Sequence, residues 1–192
     1  MKPDLYFSVD VEADGPIPGP YSMSSIGICV CGLYNGHKFS AIDVEQDTFY
    51  ATLKPISEQF DPEAAAVAGL DRQKLISEGE DPAVAMVRMR DWVDREASAR
   101  RASPVFVAYP LGFDWMFTYW YMSNFASSPF GFSRCLDVKS LYAAHTASTV
   151  SKSTKRSMPK RLFSKRSHTH NALDDAMGQG ELFQNLMRDI VA

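Results

Sequence analysis

From Leu5 to Val11 the chain alternates strictly, with Leu5, Phe7, Val9 and Val11 facing one way and Tyr6, Ser8, Asp10 and Glu12 the other. A two-residue period of this kind is a β-strand with one face toward a core. A second apolar run, Ser25 to Leu33, leads to Asn35-Gly36, a strong hairpin turn signal. Further strands near Phe39 to Val44 and Phe49 to Leu53 complete an expected antiparallel meander. The period then changes. Asp61-Pro62 and Asp81-Pro82 each pair an N-cap with a proline in the first helical turn, and Gly69 marks a stop. Asp71 to Gly79 reads as a short helix, and Ala85, Met86, Met89, Trp92 and Val93 form a stripe of helical spacing. Val105 to Ala108 predicts a buried strand, Asp114 to Asn124 an aromatic-rich helix, Cys135 to Val138 a last short strand, and Ser140 to Ala147 a further helix. A helix from Ala172 to Ile190 closes the chain, its stripe Ala176, Gly180, Phe183, Met187 and Ile190 recurring at steps of four and three. Strands followed by alternating helices and strands predict one mixed α/β domain over residues 1–192.

Composition narrows the class without changing that picture. With 45% apolar and 22% charged residues in 192, the chain is able to bury a core and falls outside the disordered class. No stretch approaches the roughly 20 apolar residues of a membrane span, and Met1-Lys2-Pro3-Asp4 lacks a secretory apolar region. Cys29-Val30-Cys31 has neither zinc nor redox spacing, so a reduced, cytoplasmic setting is expected. The charge is uneven. The net value is −3, yet Ser140 to Leu173 holds seven Lys and Arg and no Asp or Glu, which leaves the rest near −10. An acidic body with one basic segment points to a polyanionic partner beside metal-binding carboxylates; a solvated loop has the same composition.

Asp10 and Glu12 project from one strand face about 7 Å apart. Carboxylates so placed repel one another unless a cation lies between them, and hard divalent ions prefer such oxygens. An Asp-x-Glu by itself also describes an ordinary exposed strand. Near the other end, "HTHNALDDAM" offers two more carboxylates at a helix start. Rotation of about 100° per residue sets Asp174 opposite Phe183, on the solvent side, and Asp175 within about 20° of Leu182 and Leu186. His170 precedes that helix in a loop. Asp114, in "FVAYPLGFDWMF", follows a buried strand and suits either an N-cap or a site carboxylate.

Taken in order, Asp10-x-Glu12, Asp114 after "AYPLGF", and His170-Asn171-Ala172-Leu173-Asp174-Asp175 resemble the three motifs of the DEDDh 3'-to-5' exonucleases. The resemblance runs from residue 5 to about 187 and includes "FDPEAAAVAGLDRQKL" between the first two motifs. It implies a ribonuclease H-like exonuclease fold, with a central mixed sheet flanked by helices. It also implies Asp10, Glu12, Asp114 and Asp175 as ligands of two Mg2+ ions, with Mn2+ as a substitute, and His170 as general base. An imidazole changes protonation near neutral pH, which suits that task. Where relatives often carry His-Asn this chain has Tyr109-Pro110, and Ala68 stands where several carry a nucleic-acid-contacting histidine.

The implied reaction is hydrolysis of single-stranded nucleic acid from its 3' end to nucleoside 5'-monophosphates. The different-class alternative is an inactive nucleic-acid-binding module on the same fold. RNA is slightly favoured over DNA, because no polymerase-binding extension is recognisable. Many relatives pair, so a homodimer is expected. Met23 and Phe113 are the candidate surfaces for base stacking, a contact that is indifferent to sequence. Lys160, Arg161, Lys165 and Arg166 are the candidate phosphate contacts. The stiff segment Gly15 to Pro20 either presents Tyr21 to Met23 to the terminal nucleotide or simply joins two strands rigidly.

Overall fold

The computed structural model describes residues 2–69, 71–167 and 169–191, and of Ala68 only the backbone. Ala68's side chain therefore lies outside the described residues. Six strands form one sheet: β1 (Asp4–Ala13), β2 (Met23–Tyr34), β3 (Phe39–Ala41), β4 (Thr48–Thr52), β5 (Ser103–Ala108) and β6 (Cys135–Asp137). Its order is β3-β2-β1-β5-β6, antiparallel from β1 to β3 and parallel from β1 through β5 to β6. Here the expected meander needs one amendment. β4 does not extend the sheet beyond β3; both pair with β2, β3 along Gly32–Tyr34 and β4 along Ser25–Cys29. At three residues β3 is too short to cover a twelve-residue neighbour, so the rest of that edge is open to β4.

The helices are α1 (Pro62–Ala68), α2 (Arg72–Glu78), α3 (Pro82–Ala99), α4 (Leu111–Phe125), α5 (Val138–His145) and α6 (Ala172–Val191). Asp61, Asp71 and Asp81 cap the first three, each accepting two backbone N–H groups of the following turn. α5 starts two residues before its predicted position because Asp137, at the end of β6, is its cap. Among the described residues no helix is long and apolar enough to cross a membrane.

Helices cover both faces of the sheet. Leu5, Phe7, Val9 and Val11 pack with α3 and α4 through Met86, Met89, Trp92, Phe117 and Tyr121. The opposite face of β1 is buried as well: Tyr6 lies with Phe39, Phe183, Leu186 and Met187 under α6. A strand that reads as half-exposed is thus the middle of three layers, and its polar side chains must find partners indoors.

The proline-glycine segment is a closed loop. Asp14 N–H donates to Ser22 C=O at 2.9 Å, Ser22 N–H donates back to the Asp14 carboxylate at 2.5 Å, and Arg72 makes an ion pair with Asp14. Gly15 lies against the Tyr21 ring and Gly19, at φ 98°, against Trp120. These ties make the segment a rigid joint between β1 and β2.

Candidate active site

The site begins where two strands separate. β1 and β5 pair only as far as Ser8↔Val107, while β1 runs on to Ala13. Beyond that point the backbone groups of β1 that face β5 lose their strand partners. Two side chains from opposite layers replace them. From α6, buried Gln179 donates to Val9 C=O and the Ser8 hydroxyl, both at 3.0 Å, and accepts from Tyr109 N–H at 2.6 Å. From α4, Asp114 accepts Val11 N–H at 3.0 Å. Asp114 is not an N-cap: the helix starts at Leu111, with Pro110 in the cap position, and Asp114 sits buried in the first turn. Asp10 lies at this split, and the charges of Asp114, Glu12 and Asp175 all act on it.

α6 brings the remaining groups. Asn171 caps it, accepting Leu173 N–H at 3.0 Å, and half-buried Tyr50 lies close to Asn171, Glu12 and Asp174. His170 immediately precedes the cap at φ 56°, a left-handed conformation that costs a non-glycine residue about 1–2 kcal/mol. Ligand atoms of Glu12, His170 and Asp175 lie within 4.8 Å of one another. Asp174, expected on the solvent side, is half-buried and accepts the Thr169 hydroxyl at 3.1 Å, because the segment before α6 folds back over its first turn.

Charge repulsion runs through the whole cluster. Burial, then Asp114, Glu12 and Asp175, hold the Asp10 carboxyl well above the usual carboxylate range, opposed only by Lys155. Burial followed by Asp175 and Asp114 raises Glu12 to about 7. Asp114 rises to about 7, chiefly through burial and against the pull of Val11 N–H. Four crowded oxygen donors of this kind fit a hard divalent cation.

No family model matches the chain. It is 38% identical over 184 residues to the 3'-5' DNA exonuclease Cap18 of Escherichia coli, covering 94% of this chain and 90% of that one. The chain belongs to the DEDDh 3'-to-5' exonucleases. Its fold is that of the nuclease domain of 3'hExo, a DEDDh family member solved with rAMP. The TM-score there is 0.72 at 14% identity, over 98% of this chain and 92% of that one. E. coli Exonuclease I bound to a dT13 oligonucleotide superposes with a TM-score of 0.64 at 14% identity, over 96% of this chain but 40% of that longer one.

For a DEDDh exonuclease, what surrounds the carboxylates matters as much as the carboxylates. Phe113, one residue before Asp114, is 38% exposed and packs its inner side on Phe117. Met23 is fully buried in the core and offers no surface to a base. A thioether suits both environments, so its type could not decide. Of the four basic candidates, Arg161 pairs with Asp189 at 2.8 Å, and Arg166 bridges Glu45 and Glu181 at 2.5 and 3.0 Å. These pairs fasten the segment to α6 and to the loop between β3 and β4, and Lys160 and Lys165 stay exposed. The parts played by Gln179, Tyr109 and Lys155 emerge only from the tertiary structure, whereas Asn171 carries a local signal, its place just before a helix.

The raised carboxyls make metal-free stability depend on pH with a definite sign. Glu12 and Asp114, near 7 against ordinary values of 4.5 and 3.8, bind more protons folded than unfolded between those limits. Stability from this source is therefore complete below about pH 4 and declines as pH rises through 7. In EDTA the melting temperature should fall across that window. Mg2+ or Mn2+ at about 100 times its Kd should raise it at pH 7.5 by about 5–10 °C, from roughly 2.7 kcal/mol of linkage. The shift should nearly vanish at pH 4.5. A melting temperature at pH 7.5 that ignores divalent ions would contradict the cation reading.

Proposed function

We propose that this exonuclease shortens single-stranded DNA from its 3' end, with RNA the slower substrate, and releases nucleoside 5'-monophosphates. The observation that carries the chemistry is the cluster of four carboxylates around the split between β1 and β5, with the His170 imidazole at its open edge. The polymer assignment rests on the relative at 38% identity, a DNA exonuclease. It outweighs the slight preference for RNA expected from the sequence. That 3'hExo holds rAMP in the same fold agrees with a monophosphate product.

Asp10, Glu12, Asp114 and Asp175 would hold two divalent ions, which when bound stabilise the attacking and leaving oxygens of an in-line displacement. The protein's own residues do the remainder. His170, beside Glu12 and Asp175, accepts a proton from the attacking water. Asp114 keeps the end of β1 in place through Val11 N–H. Gln179 keeps β1 and β5 apart at the width the site needs. Exposed Phe113 gives the terminal base an apolar face, a contact worth about 1–3 kcal/mol per base.

The test is degradation of matched 5'-labelled single-stranded DNA, RNA and duplex with Mg2+ or Mn2+. We expect a ladder shortening from the 3' end, fastest on single-stranded DNA and absent in EDTA. His170→Ala should lower kcat by about 10²–10⁴ with little change in binding. Faster RNA cleavage would overturn the polymer assignment, and no hydrolysis of any 3' end would overturn the proposed reaction.

A further inference from the structure

The basic segment reaches the carboxylates at one place. Tyr109, where β5 ends, donates its hydroxyl to Ser153 C=O at 3.0 Å, with the backbone of Lys155 close by. Ser153 is fully buried, and its hydroxyl donates to Thr149 C=O at 3.0 Å. This anchor sets the Lys155 ammonium 5.5 Å from the centre of the Tyr109 ring. Lys155 and Tyr109 share with Asp10, Asp175 and Gln179 the wall of a cavity of about 260 Å³. Arg166 is the other cation on that wall and already spans Glu45 and Glu181. Among the described residues Lys155 takes part in no ion pair, so its charge is available to a ligand.

Its position is one-sided. The positive field of Lys155 acts on Asp10 and Asp114, whereas Glu12 feels only burial and other carboxylates. His170 is grouped with Glu12 and Asp175, and neither His170 nor Glu12 is on the cavity wall that carries Lys155. In an in-line displacement the attacking and leaving oxygens lie on opposite sides of phosphorus. The end away from the proton acceptor is therefore where the body of the strand departs.

Building on the exonuclease reading, we propose that Lys155 is the substrate-holding cation of the site, binding a phosphate oxygen of the strand on the leaving side of the cut. The ammonium is a point charge on a flexible stem, which suits any nucleotide and reads no base. Tyr109 is the positioning residue that keeps it there.

The test measures binding apart from hydrolysis. A fluorescein-labelled oligothymidylate with phosphorothioate linkages at its 3' end is titrated with protein by anisotropy across a range of NaCl concentrations. Lys155→Ala should weaken binding about 5–10-fold near 0.1 M salt. It should also reduce the slope of log K against log salt by about 0.7, the value for one phosphate contact on a single strand. Lys155→Arg should restore the slope, and in turnover assays Lys155→Ala should act mainly through KM. Tyr109→Phe keeps the charge but frees Ser153, so it should cost less and leave the slope intact. Lys38→Ala, which removes the same charge from the exposed turn between β2 and β3, is the control. A Lys155→Ala slope equal to wild type, or an equal loss in Lys38→Ala, overturns the proposal. The two readings fail separately. A wild type that cleaves nothing while its binding slope depends on Lys155 removes the exonuclease reading alone, and active wild type with an unchanged slope in Lys155→Ala removes this one alone.

Discussion

Asp10→Asn is expected to yield a protein that melts higher than wild type in EDTA at pH 7.5 and hydrolyses 3' ends at least about a thousand times more slowly. Asp10 is held well above its usual range by burial and then by Asp114, Glu12 and Asp175. An amide of the same shape removes the repulsion and offers its NH2 to neighbours that only accept. For a chain of this length each kcal/mol regained raises the melting temperature by about 2–4 °C. The same change removes one of the four candidate metal ligands, and a thousandfold loss corresponds to only about 4 kcal/mol of transition-state stabilisation. Thermal melts in EDTA and initial rates in Mg2+ measure both sides. If the variant melts lower than wild type without metal, the repulsion argument is wrong even should activity vanish. Higher stability with lost activity is how a site built for ions looks when the ions are absent.

Gly27→Ala should damage both stability and activity with a single methyl group. Gly27 pairs with Asp10 across β1 and β2, and a Cβ there would collide with the carbonyl of Ala172 and the backbone nitrogen of Leu173. Those atoms belong to the first turn of α6 and cannot rotate away as a side chain would. α6 must move, and Asp175 and the His170 loop move with it. Overpacking of this kind costs about 1–3 kcal/mol, and a shift of about 1 Å at the reacting groups costs about 10²-fold in rate. Gly180→Ala is the informative contrast. Its Cβ would meet Cys31 Cβ, Cys29 Sγ and Val44 Cγ1 at 3.1–3.2 Å, contacts that a shift of a few tenths of an ångström relieves, so a mild loss of stability with activity largely kept is expected. Equal activity in the two variants, measured as kcat/KM on one oligonucleotide, would show that α6 does not depend on the contact at Gly27.

Part of this architecture is legible along the chain because it is local. The alternation of Leu5 to Val11 predicts β1, and Asp61, Asp71 and Asp81 predict three helix starts that the structure places where expected. The same alternation suggests an exposed polar face, but Ser8 is fully buried beneath α6. Nothing within a few residues of Ser8 could announce a partner at Gln179. Asp114 shows the limit more sharply. Its spacing from a buried strand fits an N-cap, yet α4 starts at Leu111 and the carboxylate turns inward to a backbone N–H 103 residues away.

By itself the sequence determined the element types, the order Asp10, Glu12, Asp114, His170, Asp175, and the existence of a basic segment beside an acidic body. These are properties of neighbours on the chain, and backbone geometry converts them directly into faces and turns. Only the tertiary structure decided which charges are already spent and which are free to act. Arg166 is committed to Glu45, 121 residues away, and Arg161 to Asp189, whereas Lys155, identical in kind to Lys160 and Lys165, stands over Tyr109 beside Asp10. A charge is set by residue type, but the field it meets is set by packing, and packing here joins the two ends of the chain.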